Sequence, residues 1–123
     1  MVCILAAKLS NKVTAVASVS CGMVPEVFDS IMPVHAIPAL EIHGAEDGVV
    51  PYDGSNMQFS SVNTDTMVRF RTRNNICALI ADASALPDVD SSDASTVQLF
   101  IYPNGTDDAQ SRLYRVIGQN HLN

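Results

Sequence analysis

The sequence predicts an α/β fold, the later part of an open, doubly wound sheet that is incomplete at both ends. Three observations carry that expectation. Strand, helix and strand patterns alternate along the chain, as they do where helices pack on a largely parallel sheet. The elements are few: four strands and two helices would leave a bare sheet edge and one poorly covered face. The first helix opens without a capping residue, and the chain stops at Asn123, two residues after a His, with no closing element. One partial domain over 1–123 follows, with no internal repeat and no linker.

The elements fall in this order. Met1 to Leu9 place Val2, Cys3, Leu5, Ala6 and Leu9 at helical spacing, with Lys8 the only charge. Ser10-Asn11-Lys12 breaks that helix. Val13 to Val19 is a short, β-branched apolar run, expected as a buried strand. Cys21 to Pro38 carry Gly22, Pro25, Pro33 and Pro38 and predict an irregular connection. Ala39 to His43 is the next strand, ended by Gly44. Asn63 to Asn75 predict a helix of modest amphipathicity, with Val62, Met67 and Phe70 inward. Ala83 to Ser95, rich in Ser, Asp and Ala, predict a polar surface loop. Thr96 to Tyr102 and Arg112 to Ile117 are two strands, joined across Pro103-Asn104-Gly105-Thr106. The Asn-Gly pair favours a tight turn because both positions tolerate positive φ.

Composition narrows the function classes. Hydrophobic residues at 47% against 16% charged describe globular material and exclude a disordered tail. No apolar run reaches the roughly 18 residues of a membrane span, and no basic-then-apolar stretch opens at Met1. Thirteen acids against seven bases give a net charge of −6, which disfavours nucleic acid as a partner. Arg69, Arg71 and Arg73 are expected on a solvated helix face. Cys3, Cys21 and Cys77 show no C-x-x-C spacing, which argues against zinc and allows at most one internal disulfide.

Two segments carry chemistry. Glu41-Ile42-His43-Gly44-Ala45-Glu46-Asp47-Gly48-Val49-Val50-Pro51-Tyr52 runs from an apolar strand into an acidic loop. Loops at the carboxyl ends of strands in open α/β sheets gather ligands and catalytic groups. A carboxylate there can orient an imidazole and stabilise its charged form. Leu113 to His121 runs from a strand through Gly118-Gln119-Asn120 to a His, a place from which a general base can reach a nucleophile. The acid precedes the His in the chain, in the order Ser, acid, His. Glu46 is expected to face solvent, and His43 to hydrogen-bond within the acid loop. His35, between prolines, carries little signal. Ser20 and Cys21 fail as substitute nucleophiles, because Ser18 stands where a G-x-S-x-G turn needs its first Gly and no helix starts after Gly22.

The run His43 to Gly54 resembles the acid loop of the polyhydroxybutyrate depolymerase and feruloyl esterase group of α/β-hydrolases. Leu5 to Val19 resembles the helix and strand after that group's nucleophile elbow. Asn74 to Cys77 resembles the end of the helix after the acid loop, and Tyr114 to His121 the strand and loop bearing the catalytic His. The four pieces span almost the whole chain in the group's order, although Gln119-Asn120 replace the usual glycines and Leu122-Asn123 the usual Thr-Trp.

The resemblance implies the C-terminal portion of an α/β-hydrolase, with Asp47 as catalytic acid and His121 as general base. The nucleophilic Ser and the oxyanion hole would lie upstream of Met1, so this chain alone would be inactive. It implies no metal or organic cofactor, an ester substrate of the polyester or feruloyl-polysaccharide kind, and export from the cell. A prolyl-oligopeptidase-type peptidase uses a similar acid loop, and a non-catalytic remnant would keep the fold without the Ser; both alternatives stand. The uncovered edge and faces also predict poor solubility.

Overall fold

The computed structural model describes residues 2–55 and 60–118. Three helices, α1 (Val2–Lys8), α2 (Pro25–Ser30) and α3 (Thr64–Asn74), are interspersed with five strands. The strands are β1 (Val16–Val19), β2 (Ala39–Gly44), β3 (Asp82–Ala85), β4 (Thr96–Tyr102) and β5 (Ser111–Ile117). They form one sheet in the order β1-β2-β5-β4-β3. β1, β2 and β5 run parallel, while β5, β4 and β3 form an antiparallel ribbon.

This corrects the expectation of a doubly wound α/β-hydrolase portion. The sheet is mixed, and the three helices share one face of it. Cys3 and Ala7 of α1, Val27 and Phe28 of α2, and Met67 and Phe70 of α3 meet in a single cluster. Val68 of α3 meets Leu113 of β5 in a second. Alternation along the strands then sends Glu41, His43 and Leu113 toward the helices. Leu40, Ile42, Tyr114 and Val116 take the other face, beside Leu99 and Ile101 of β4. Among the described residues no helix covers that second face. Strand and helix order alone does not fix which face each helix takes, and here α1, α2 and α3 all lie on the same side.

Smaller expectations change as well. Cys21 to Pro38 contains α2, whose Pro25 sits in the first turn, where a missing N–H costs nothing. The predicted polar loop begins with the edge strand β3, every residue of which is exposed. The Asn-Gly pair does not make a tight hairpin. Asn104 has φ 62°, but Gly105 has φ −78°, and the connection continues through a short 3-10 turn, Thr106–Asp108. Gly105 is needed for proximity, since a Cβ there would lie 2.5 Å from the Ala109 carbonyl oxygen and 2.7 Å from that of Asn75.

α3 shows how local chemistry sets its ends. Asn63 caps it by accepting from the Thr66 N–H at 2.7 Å, while Asp65 in the first turn and Arg71 and Arg73 in the last complement the helix dipole. Arg71 is not on a solvated face: it is buried and donates to the Cys3 carbonyl. Burial holds its pKa below the ordinary value, and the Glu41 charge opposes that shift. Past the helix, Cys77 N–H bonds to the Thr72 carbonyl and Ile76 N–H to that of Arg73, a Schellman closure. Buried Asn75 clamps the segment entering β2, accepting from Ile37 N–H at 2.8 Å and donating to Ile37 O at 2.7 Å. A Cys3–Cys21 disulfide ties α1 to the end of β1, leaving Cys77 as a buried free thiol. A closed loop of this size contributes on the order of 3 kcal/mol through the unfolded chain.

Two outcomes follow. Ile76 closes the Schellman motif at φ 56° with its side chain 71% exposed, so a β-branched residue occupies a glycine position for little packing in return. Ile76→Gly is expected to raise stability by about 1 kcal/mol in urea unfolding. The bare sheet face is expected to drive self-association. Leu99→Lys with Val116→Thr should lower concentration-dependent light scattering severalfold, with little change in the thermal midpoint.

Candidate functional site

The acid loop leaves β2 beside the end of β5. Gly44 is in register with Val116, and Ala45 N–H bonds to the Val116 carbonyl at 2.7 Å. β5 is followed by Gly118, whose φ of 84° and close approach to the Ala94 carbonyl oxygen exclude a side chain there. Parallel pairing thus brings the two chemistry-bearing segments to one end of the sheet. The base His121 and its neighbours Gln119 and Asn120 lie outside the described residues.

Asp47 is buried, and its orientation is fixed. Its Oδ1 accepts from Val49 N–H at 2.9 Å and Val50 N–H at 2.8 Å, a local turn closed by the side chain on its own backbone. Its Oδ2 lies 3.8 Å from His43 Nε2. Glu46 next to it faces solvent.

Beneath the loop is a cluster that sequence reasoning did not assemble. His43 is 1% exposed. Its Nε2 donates to the Val50 carbonyl at 2.9 Å, while Nδ1 meets Thr64 Oγ1 at 3.1 Å and Glu41 Oε1 at 3.3 Å. Its ring also stands edge-on to Tyr52 at 5.5 Å. Glu41 accepts from the Ser18 hydroxyl and from Cys21 N–H at 2.9 Å. Burial alone would lower the His43 pKa. The hydrogen-bonding contact with Glu41, the Val50 carbonyl and the Glu41 and Asp47 charges outweigh it, so the value lies above 6.5. The available signal was the two-residue period: Glu41 and His43 share a face of β2, opposite Leu40 and Ile42.

Ser20 adopts φ 48° at the end of β1. The following amide, which a nucleophile elbow would aim at an oxyanion, instead donates to Glu41. Cys21 is bonded to Cys3 and offers no thiolate. Among the described residues no three His, Cys, Asp or Glu side chains converge as a metal site requires, and no helix is long and apolar enough to cross a membrane. No family model matches the chain, and no curated protein matches it.

The His43 cluster makes stability depend on pH. A folded-state pKa above the unfolded 6.5 means its stabilisation is complete below pH 6.5 and is lost as pH rises through the folded value. Urea midpoints are therefore expected to fall as pH rises above 6.5. In His43→Gln the midpoint should be lower and flat over that window.

Proposed function

We propose that this chain supplies the acid and the base of a serine esterase, Asp47 and His121, to a nucleophilic serine encoded upstream of Met1. The observation that supports this most is the orientation of Asp47 at the carboxyl end of β2. It is buried and held by two backbone amides, beside the strand that leads toward His121. The resemblance of the acid loop to those of polyester depolymerases and feruloyl esterases supports the ester substrate.

In this reading His121 takes the serine proton as the hydroxyl attacks the ester carbonyl, and Asp47 holds the imidazole in its productive tautomer. The imidazolium returns that proton to the departing alcohol as the tetrahedral intermediate collapses to an acyl-enzyme. Water, deprotonated by the same His, then hydrolyses the acyl-enzyme and regenerates the serine. His43 and Glu41 act at one remove by fixing the loop that carries Asp47.

The test begins with the DNA preceding the Met1 codon, translated in frame, and continues with ester hydrolysis by the chain extended through that segment. A Gly-x-Ser-x-Gly turn within about ten residues is expected. Asp47→Asn and His121→Ala are each expected to lower kcat about 10⁴-fold without unfolding the protein. An authentic start signal with no such turn would sink the reading. So would an active extended enzyme indifferent to both substitutions.

A further inference from the structure

Between α3 and the antiparallel strands lies a cavity of about 250 Å³ that the esterase reading does not use. Asp65 and Arg69 line it from successive turns of α3, Phe100 and Tyr102 from β4, and Arg115 from β5, with Tyr52 forming another wall. Its charges are unevenly matched. Asp65 is engaged by the Tyr52 hydroxyl at 2.7 Å. Neither Arg69 nor Arg115 forms an ion pair with a carboxylate among the described residues. Arg115 stands with its guanidinium 4.8 Å from the centre of the Tyr52 ring, and its buried Nε has no hydrogen-bond partner. A buried N–H without an acceptor is rare in folded proteins and calls for an explanation.

Two cations and one carboxylate therefore face an aromatic-walled cavity, an excess of one positive charge in a protein whose net charge is −6. Their complement is an anion with a flat apolar body. A guanidinium edge matches a carboxylate through two parallel N–H donors, and the Phe100 and Tyr102 rings can take an aromatic face. Burial and then Asp65 raise the Tyr102 pKa, so its phenol stays protonated at neutral pH and can donate as well. The volume admits one ring with its carboxylate and little more.

We propose that this cavity is a binding site for a single-ring aromatic carboxylate, with Arg115 and Arg69 holding the anion and Phe100 and Tyr102 the ring. The site stands on its own geometry and does not depend on the chain being part of an esterase.

The test is a titration of the full chain with sodium benzoate, following the arginine Nε–H resonances by ¹H–¹⁵N NMR. Sodium acetate and inorganic phosphate are titrated in parallel. Benzoate is expected to shift the Arg115 resonance saturably and to bind about tenfold tighter than acetate. Arg115→Met and Arg69→Gln should each weaken benzoate at least about tenfold. Absence of a saturable benzoate shift in the native chain overturns the proposal. Acetate or phosphate binding as tightly as benzoate overturns the aromatic part, and with it the assignment. If Arg115→Met does not fold, Arg69→Gln decides, because Arg69 is exposed and contributes little to packing; unchanged benzoate affinity in that variant is a refutation.

Discussion

A carboxyl group taken out of water needs hydrogen-bond partners for its oxygens, and Glu41 is the group on which much of this structure turns. It sits in the middle of β2 with helices packed over it. Its oxygens collect the Ser18 hydroxyl, the Cys21 amide and His43 Nδ1, while the Arg71 charge lies close enough to act on it. The partners reach several elements. Ser18 and Cys21 hold the end of β1, and Arg71 ties α3 to α1 through the Cys3 carbonyl. His43 passes the constraint upward to Val50 and Asp47. The acid loop is therefore held from below by charge as well as from within by its own turn.

The sequence made some of this legible because local chemistry decided it. Asn63 starts α3 as a side-chain cap, Gly44 ends β2, and Asp47 follows a strand end. The strands β4 and β5 were legible for the same reason. What stayed hidden was decided by distant partners. α2 is six residues inside a proline-rich stretch, and β3 is an edge strand with no apolar residue larger than alanine, so neither shows a period. Arg71 looked like its exposed neighbours Arg69 and Arg73, yet it shares a helix face with Met67 and Val68, which are buried. The side of the sheet on which each helix lands is a tertiary outcome, and the doubly wound expectation failed there.

The candidate site divides in the same way. Asp47 could be read from the strand-loop pattern, and its two backbone donors are local. The cluster below it needs β1, β2 and α3 assembled, and the cavity holding Arg69 and Arg115 needs α3 laid against β4 and β5. Tyr52 joins the two regions, with one side of its ring near His43 and the Arg115 guanidinium over it.

The parallel pairing of β2 with β5 also bears on how the chain reaches this state. Ala39 lies opposite Ser111, 72 residues further on, whereas the Cys3–Cys21 link closes a separation of only 18. The entropy of closing the longer loop must be met before its contacts repay it, and topologies dominated by such distant pairings fold slowly. Oxidation of Cys3 and Cys21 joins α1 to β1 without shortening that search. The step that sets the acid loop beside β5 therefore carries the largest loop-closure cost of the strand pairings in this sheet.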